Sequence, residues 1–156
     1  MRGTRQQRQV LDDVSKAIIS QLQQDGRRSY AAIGKVVGLS EAAVRQRVQR
    51  LTDSGVMQVV AVTDPMELGF ARQAMVGVRV TGAIEPVAEA VASLDEVDYV
   101  VVTAGSYDLL CEVVAESDEH LLEIISDQIR SIDGVLSTET FMYLDLRKQT
   151  YSWGVR

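Results

Sequence analysis

The segment spanning residues 30–57 constrains the fold of this chain more than any other part of the sequence. It contains two stretches in which apolar residues recur at helical spacing, and Gly38-Leu39 separates them. A glycine allows the chain to reverse tightly here, because positive φ costs glycine little. Ser40 is a strong N-cap candidate for the second stretch, which we predict as a helix over residues 41–53. Two helices joined in this way form a helix-turn-helix, a motif that places its second helix in the DNA major groove.

The predicted helix over residues 41–53 has two different faces. Val44, Val48 and Leu51 recur at helical spacing and form a buried stripe. The opposite face is rich in Arg and Gln, whose side chains can form paired hydrogen bonds with guanine and adenine. The arginines also supply positive charge for phosphates. Small residues on this face permit close approach to the bases. The free N–H groups of the first turn are also able to bind a phosphate. We predict DNA contacts from Ser40, Ala42, Arg45, Gln46, Arg47, Gln49 and Arg50.

Upstream residues complete a three-helix unit. Val14, Ile18 and Leu22 form one apolar face of a first helix, and Ser29 is a plausible N-cap for a short second helix. Gly34 leaves room for the next helix to approach closely. The alternative interpretation is a solvated amphipathic helix in an ordinary three-helix unit, without DNA binding.

A β-rich segment follows the helix-turn-helix. The sequence VMQVVAVT at residues 56–63 predicts either a wing or a connecting strand. Asp64-Pro65 then restricts the backbone. We therefore predict a winged-helix-like DNA-binding domain over residues 1–63, with a basic N-terminal extension and a connecting strand, and a second domain over residues 64–156.

The second domain alternates strand and helix patterns. Strands are predicted at residues 73–80, 97–103, 107–115 and 135–146, and helices at 84–94 and 117–132. The order β-α-β-β-α-β is that of the ferredoxin-like fold, an antiparallel sheet with two helices on one face. The chain is thus predicted to be an α+β protein. Apolar residues on both faces of VDYVVVT suggest that a second subunit covers the other face, so we expect a homodimer.

Charge is divided unevenly along the chain. The net charge is −6, yet residues 1–64 hold ten Lys/Arg and six Asp/Glu, a net charge of +4. Residues 65–156 hold six and sixteen, a net charge of −10. Such asymmetry suggests a nucleic-acid-binding module joined to an acidic one; chance segregation is the alternative.

Other features argue against several classes of protein. No apolar run is long enough for a transmembrane helix, and the single cysteine, Cys111, fits a reducing cytoplasm. No glycine-rich phosphate loop, Cys/His pair or Ser/His/Asp set is present. His120, the only histidine, is predicted at the surface and cannot form a metal site alone. We therefore expect a cytoplasmic protein that is not an enzyme and needs no cofactor or metal. Trp153 is predicted at a subunit contact or on the surface.

Three segments together carry a family resemblance. They are LDDVSKAIISQLQQDGR, IGKVVGLSEAAVRQRVQRLTDSGVM and TAGSYDLL, in this order. The chain resembles the Lrp/AsnC family, the feast–famine transcriptional regulators of bacteria and archaea, over about residues 11–150. The resemblance implies a DNA-binding head joined by a strand to a ferredoxin-like domain that binds small effectors, commonly amino acids. It also implies homodimers that assemble further, often into octamers.

The resemblance further implies where the effector binds, between dimers near the turn that joins the middle strands. The matching residues are Val102, Thr103, Ala104, Gly105, Tyr107 and Asp108, with Thr140 and Phe141 on the last strand. These residues suit an amino acid, because Gly105 exposes N–H groups to a carboxylate and Asp108 can accept hydrogen bonds from an ammonium. Threonine hydroxyls add further partners. The alternative is a plain hairpin turn in which Asp108 caps the backbone and Tyr107 packs in the sheet.

The combined prediction is a sequence-specific DNA-binding transcriptional regulator controlled by a small effector, with an amino acid as the expected ligand. The first alternative is an effector-independent architectural DNA-binding protein. A second is a small-molecule sensor whose first domain binds protein, against which the positive charge of residues 1–64 argues.

Overall fold

The computed structural model describes residues 11–151, 154 and 155. The chain divides into two compact units, of which the second is Val62–Lys148. The first contains the described residues up to Ala61 together with the described C-terminal residues from Gln149 onward. The boundary predicted between residues 63 and 64 stays a prediction. The predicted basic N-terminal extension and Trp153 lie outside the described residues.

The first unit contains the three predicted helices. Each begins where a side chain can accept a hydrogen bond from the backbone N–H three residues later, and these N-caps are Asp12, Ser29 and Ser40. The caps predicted at Ser29 and Ser40 are therefore confirmed. The helices are α1 (Asp13–Gln24), α2 (Tyr30–Val37) and α3 (Glu41–Asp53).

The turn between α2 and α3 depends on two glycines. Gly38 ends α2 in the left-handed region with φ 73°, as the predicted reversal requires. At Gly34, a side chain would collide with the carbonyl oxygen of Leu39, so the close approach predicted here is to the turn itself. The turn therefore packs onto the end of α2 and fixes where α3 begins.

The apolar stripe of α3 is buried as predicted. Val44 is fully buried, and Val48 and Leu51 nearly so. Two of them pack in a core to which each helix contributes, formed by Ile18, Leu22, Ile33, Val44 and Val48. Burial of this stripe directs the opposite face of α3 to solvent.

The predicted wing or connecting strand at residues 56–63 is not formed in the described chain. After Gly55, no regular element occurs before a short 3₁₀ turn, Pro65–Leu68. A strand requires a hydrogen-bonded neighbour, and no described strand pairs with this segment. Val59, Val60 and Val62 are accordingly more than half exposed. High β-propensity without a pairing partner therefore does not produce a strand.

The second unit has the predicted βαββαβ order. The elements are β1 (Arg72–Val80), α4 (Ile84–Ala92), β2 (Val97–Val102), β3 (Leu109–Ala115), α5 (Asp118–Glu123) and β4 (Val135–Met142). The antiparallel sheet has the strand order β2-β3-β1-β4, the ferredoxin-like arrangement. The final helix begins as a regular α-helix and continues into a π-helical segment, Ile124–Ile129, which the sequence pattern did not predict.

Two strands are shorter than predicted by two residues or more, for reasons of pairing. β4 was expected to reach residue 146, but its partner β1 begins at Arg72, and the last bond runs from the Tyr143 N–H to the Gln73 carbonyl. Leu144 beyond it is almost fully exposed. β3 starts at Leu109, because the residues before it form the turn from β2.

The sheet of the second unit has one covered face. Ala74, Val76 and Val78 alternate along β1 and pack with the helices in the core. The intervening residues of β1 lie on the opposite face, where Tyr99 is 51% and Phe141 43% exposed. No described helix or strand of the second unit covers that face. That a second subunit covers it stays a prediction.

Candidate functional site

The outer face of α3 forms an open surface in the first unit. It includes five of the seven residues predicted to contact DNA. All five are exposed, and they are Ala42, Arg45, Gln46, Gln49 and Arg50. The helix therefore presents small, amide and guanidinium groups together on one solvent-facing surface.

Ser40 lies at the N-terminus of the same helix. Its Oγ accepts a hydrogen bond from the Ala43 N–H at 3.2 Å, so the hydroxyl oxygen caps the helix. Ser40 is exposed, and the first turn of α3 carries further N–H groups that have no partner within the helix. These N–H groups are suited to an anion such as a phosphate, and the neighbouring Glu41 carboxylate, which would repel one, is paired with Arg45.

Arg47 is directed differently from its neighbours. Its Nη1 donates to Asp12 Oδ2 at 2.7 Å and Oδ1 at 2.9 Å, and to Ser15 Oγ at 3.1 Å. Hydrogen bonding by Ser15 and then by Arg47 holds the pKa of the Asp12 carboxyl well below its usual range. The guanidinium thus connects α3 to the N-cap of α1. A DNA contact by Arg47 stays a prediction.

Arg45 is held by two residues beside the outer face of α3. Its Nη2 donates to Glu41 Oε1 at 2.8 Å, one helical turn earlier. Its guanidinium carbon lies 5.3 Å from the centre of the Tyr30 ring, a cation–π distance. The remaining polar residues differ, because Gln49 donates to Asp53 at 2.7 Å, whereas Arg50 forms no ion pair in the described chain.

The turn between β2 and β3 contains most of the predicted effector residues. It is closed by a hydrogen bond of 2.9 Å from the Thr103 N–H to the Asp108 carbonyl. The Thr103 hydroxyl donates to the Tyr107 carbonyl, so it is used within the turn. Val102, Ala104 and the following glycine are exposed.

Asp108 ties this turn to β1. Its N–H donates to the Val78 carbonyl at 2.9 Å, and its Oδ2 accepts from the Val80 N–H at 2.7 Å. One carboxylate oxygen is therefore engaged in the fold, as in the alternative of a plain hairpin turn. No neighbouring atom occupies the space beside Gly105, which leaves the backbone there open.

Tyr107 lies on the open face of the sheet. Its ring is directly over Gly77 of β1, where an added Cβ would be 2.7–2.9 Å from three ring carbons. The ring packs edge-on against Phe141 at 6.0 Å, and the guanidinium of Arg79 lies 5.6 Å away. Thr140 is paired with the core residue Val76, so it lies on the helix-covered face instead. The structure thus brings Tyr107 and Phe141 together and separates Thr140 from them.

The single histidine and the single cysteine are both partly or fully enclosed by the fold. His120 is partly buried, with Nδ1 accepting from the Glu116 N–H at 3.3 Å and Nε2 at 3.4 Å from Glu96. Burial raises the pKa of the Cys111 thiol to about 11. Among the described residues, no group of three or more His, Cys, Asp or Glu side chains is arranged to hold a metal ion. No helix of the described chain has the length and apolarity needed to span a membrane.

Both units match models of known protein families. An AsnC-type helix-turn-helix domain matches residues 11–52, and an AsnC-type C-terminal dimeric alpha+beta barrel domain matches residues 71–156. HTH-type transcriptional regulator FL11 of Pyrococcus furiosus is 34% identical over 145 residues, which cover 92% of this chain and 95% of that protein. The chain belongs to the Lrp/AsnC family.

Other Lrp/AsnC proteins are similar in sequence or structure over nearly the whole chain. Regulatory protein AsnC of Escherichia coli is 28% identical over 138 residues, covering 86% of this chain and 91% of that protein. The crystal structure of the leucine response regulatory protein LrpA of Mycobacterium tuberculosis has a TM-score of 0.81 at 26% identity, covering 89% and 96% of the two chains. Transcriptional regulator NMB0573 of Neisseria meningitidis, in complex with L-Met, has a TM-score of 0.78 at 25% identity, covering 91% and 95%. This chain therefore has the helix-turn-helix and α+β architecture of transcriptional regulators of the Lrp/AsnC family.

Sequence reasoning missed several residues of these two sites. Tyr30 and Glu41 hold Arg45, and Asp12 holds Arg47, although none was predicted to take part. Glu41 was detectable, because Glu four residues before Arg on a helix is a known pairing pattern. Gly77 was not detectable, because a glycine inside a strand indicates that another group packs closely against the backbone but does not identify that group.

Proposed function

We propose that this Lrp/AsnC protein is a sequence-specific DNA-binding regulator whose outer α3 face enters the major groove. The observation that carries the proposal is the clustering of exposed amide and guanidinium side chains on the face opposite the buried stripe. Gln46 and Gln49 can pair with adenine, and arginines with guanine or phosphate. The N-terminus of α3 at Ser40 supports a phosphate contact that would set the orientation of the helix.

Removal of Arg50 or Gln46 tests this proposal. Both are exposed on the outer face of α3, so alanine at either should weaken operator binding by about tenfold, corresponding to roughly 1–2 kcal/mol per contact. Arg130, an exposed arginine of the second unit, provides the matched control. Fluorescence anisotropy with a selected operator should show losses for R50A and Q46A and none for R130A. Equal affinities for all three variants would reject α3 as the DNA-binding surface.

We further propose that a small effector, with an amino acid as the expected class, binds near the turn between β2 and β3. The L-Met complex of NMB0573 supports this class of ligand. The open backbone at Gly105 is suited to a carboxylate, and the second oxygen of Asp108 to an ammonium. The turn alone offers few free polar groups, which supports a site completed by another chain in a dimer or higher oligomer, with an octamer as the expected assembly.

One observation favours an effector-independent architectural protein instead. The Thr103 hydroxyl and one oxygen of Asp108 are already hydrogen-bonded within the chain. A thermal-shift screen of the twenty amino acids distinguishes these functions, because a ligand stabilises the state that it binds. A shift with one amino acid, absent in a Gly105→Val variant, supports effector control. No shift with any of them, combined with a steep salt dependence and little sequence preference, supports the architectural alternative.

A further inference from the structure

Arg45 of α3 forms a cluster with Glu41 in the first turn of α3 and with Tyr30 of α2, and the last two lie outside the predicted DNA contacts. Arg45 is bonded to Glu41 at 2.8 Å and stacked over Tyr30 at 5.3 Å. Tyr30 is the first residue of α2 and packs against the core of the first unit. The side chains of Arg45 and Glu41 remain 64% and 52% exposed. The cluster is thus anchored to the fold on one side and open to solvent on the other.

This anchoring restricts the conformations of the Arg45 side chain in the DNA-free protein. An isolated surface arginine samples many rotamers, and immobilising it on binding reduces affinity. Here the Tyr30 ring and the Glu41 carboxylate both favour one orientation of Arg45. Only one of the guanidinium nitrogens is bonded to Glu41, so the others remain available as donors.

The carboxylate of Glu41 limits what this cluster can contact. Phosphates repel a carboxylate. A carboxylate that is desolvated without gaining a hydrogen-bond donor also destabilises the complex. In the major groove, cytosine N4 and adenine N6 both present amino donors, but adenine also presents the N7 acceptor beside its amino group, which repels a carboxylate, so cytosine is the better partner. Arginine meets its best partner in guanine, through O6 and N7. The two side chains are therefore complementary to the two bases of a G·C pair or of adjacent pairs.

We propose that Glu41 and Arg45 together recognise a G·C pair in the operator, and that Tyr30 is a positioning residue for Arg45. This inference rests on the proposed insertion of α3 into the major groove. Glu41 is thereby a determinant of base specificity, because a base without an amino group at that position leaves its carboxylate unpaired. The Glu41–Arg45 pair carries little net charge, so removal of the pair should alter base preference more than salt dependence.

Selection of operators from a random duplex pool tests the proposal with the full chain. Wild type should enrich sites with one invariant G·C pair or step per half-site. E41Q should relax the cytosine preference by about tenfold or more and admit adenine, with which an amide pairs. R45A should relax the guanine preference at the same or the adjacent position. Circular dichroism and light scattering establish that each variant keeps the fold and oligomer of wild type.

Tyr30 variants separate positioning from packing. Y30L preserves apolar volume in the core but removes the ring, so discrimination at the same guanine should fall by about two- to fivefold. Y30F retains the ring and serves as the matched control, with discrimination equal to wild type. The salt slope should change in neither variant.

The outcomes distinguish this inference from the function on which it rests. Coincident changes at one base-pair position in E41Q, R45A and Y30L support it. If wild type selects a defined operator and these variants select it with unchanged preferences, the inference is overturned while DNA-specific regulation stands. If wild type selects no sequence at all, the proposed sequence-specific function itself is overturned.

Discussion

Replacing Gly77 with alanine should destabilise the second unit by displacing Tyr107 from β1. The new Cβ would lie 2.7–2.9 Å from three ring carbons. Non-bonded carbon atoms pack at about 3.5–4.0 Å, so the ring or the strand must move by roughly 0.7 Å. The ring cannot move freely, because the next residue, Asp108, is bonded to β1 through both its N–H and its carboxylate.

The size of the effect follows from the contacts that Tyr107 would lose. The edge-on packing with Phe141 is worth about 0.5–1.5 kcal/mol and the Arg79 cation–π contact about 0.5–1 kcal/mol. Alanine recovers roughly 0.5–1 kcal/mol, because it is less flexible than glycine in the unfolded chain. A net loss of about 1 kcal/mol should lower the melting temperature of this unit by roughly 4–8 °C.

A double-mutant cycle separates the collision from other effects of the substitution. The melting temperatures of wild type, G77A, Y107A and G77A/Y107A should be compared at one protein concentration, because dimers melt in a concentration-dependent way. G77A should be harmful in the wild-type background and neutral or stabilising when the ring is absent. An equal loss from G77A in both backgrounds would refute the argument.

Three other substitutions have expected outcomes. Asp12→Asn keeps an N-cap for α1 but removes the charge paired with Arg47. Because the pKa of Asp12 is depressed in the folded state, wild type should lose stability as pH falls below about 4. The variant should lose less stability over that range in acid titrations followed by circular dichroism. Asp108→Ala leaves the Val80 N–H without its acceptor, so chemical denaturation should show a loss of about 1–3 kcal/mol, and any effector response should also disappear. Cys111 is buried with a raised pKa, so a thiol reagent should label it at pH 8 only after unfolding, and rapid labelling of the native protein would contradict the buried position.

Local sequence signals predicted the first unit well. The caps at Ser29 and Ser40 and the reversal at Gly38 are decided by side chains and backbone preferences within a few residues. The βαββαβ order was equally accessible, because strand and helix patterns alternate over most of the second unit. These elements depend on short-range chemistry, which a single sequence records directly.

Features that depend on distant contacts were not accessible in this way. The segment at residues 56–63 has strand propensity, yet pairing rather than propensity decides whether a strand forms. The Arg47–Asp12 contact joins residues 35 apart in sequence, and no local pattern links them. Packing of Tyr107 in the sheet was one of the two predicted alternatives, but the position of its ring over Gly77 depends on the register between β1 and its neighbours.

The three arginines of α3 show why counting charges overstates contacts with phosphate. Asp12 compensates Arg47 and Glu41 compensates Arg45, whereas Arg50 has no ion pair in the described chain. Each phosphate that is neutralised contributes about 0.9 to the salt slope of duplex binding. R50A should therefore reduce the salt slope of duplex binding by about 0.9 for each bound DNA-binding domain. R47A should reduce this slope by much less, although it also weakens the packing of α1. Measurement of binding constants between low and moderate salt decides this, and equal slope losses for R47A and R50A would mean that Arg47 leaves Asp12 to bind a phosphate.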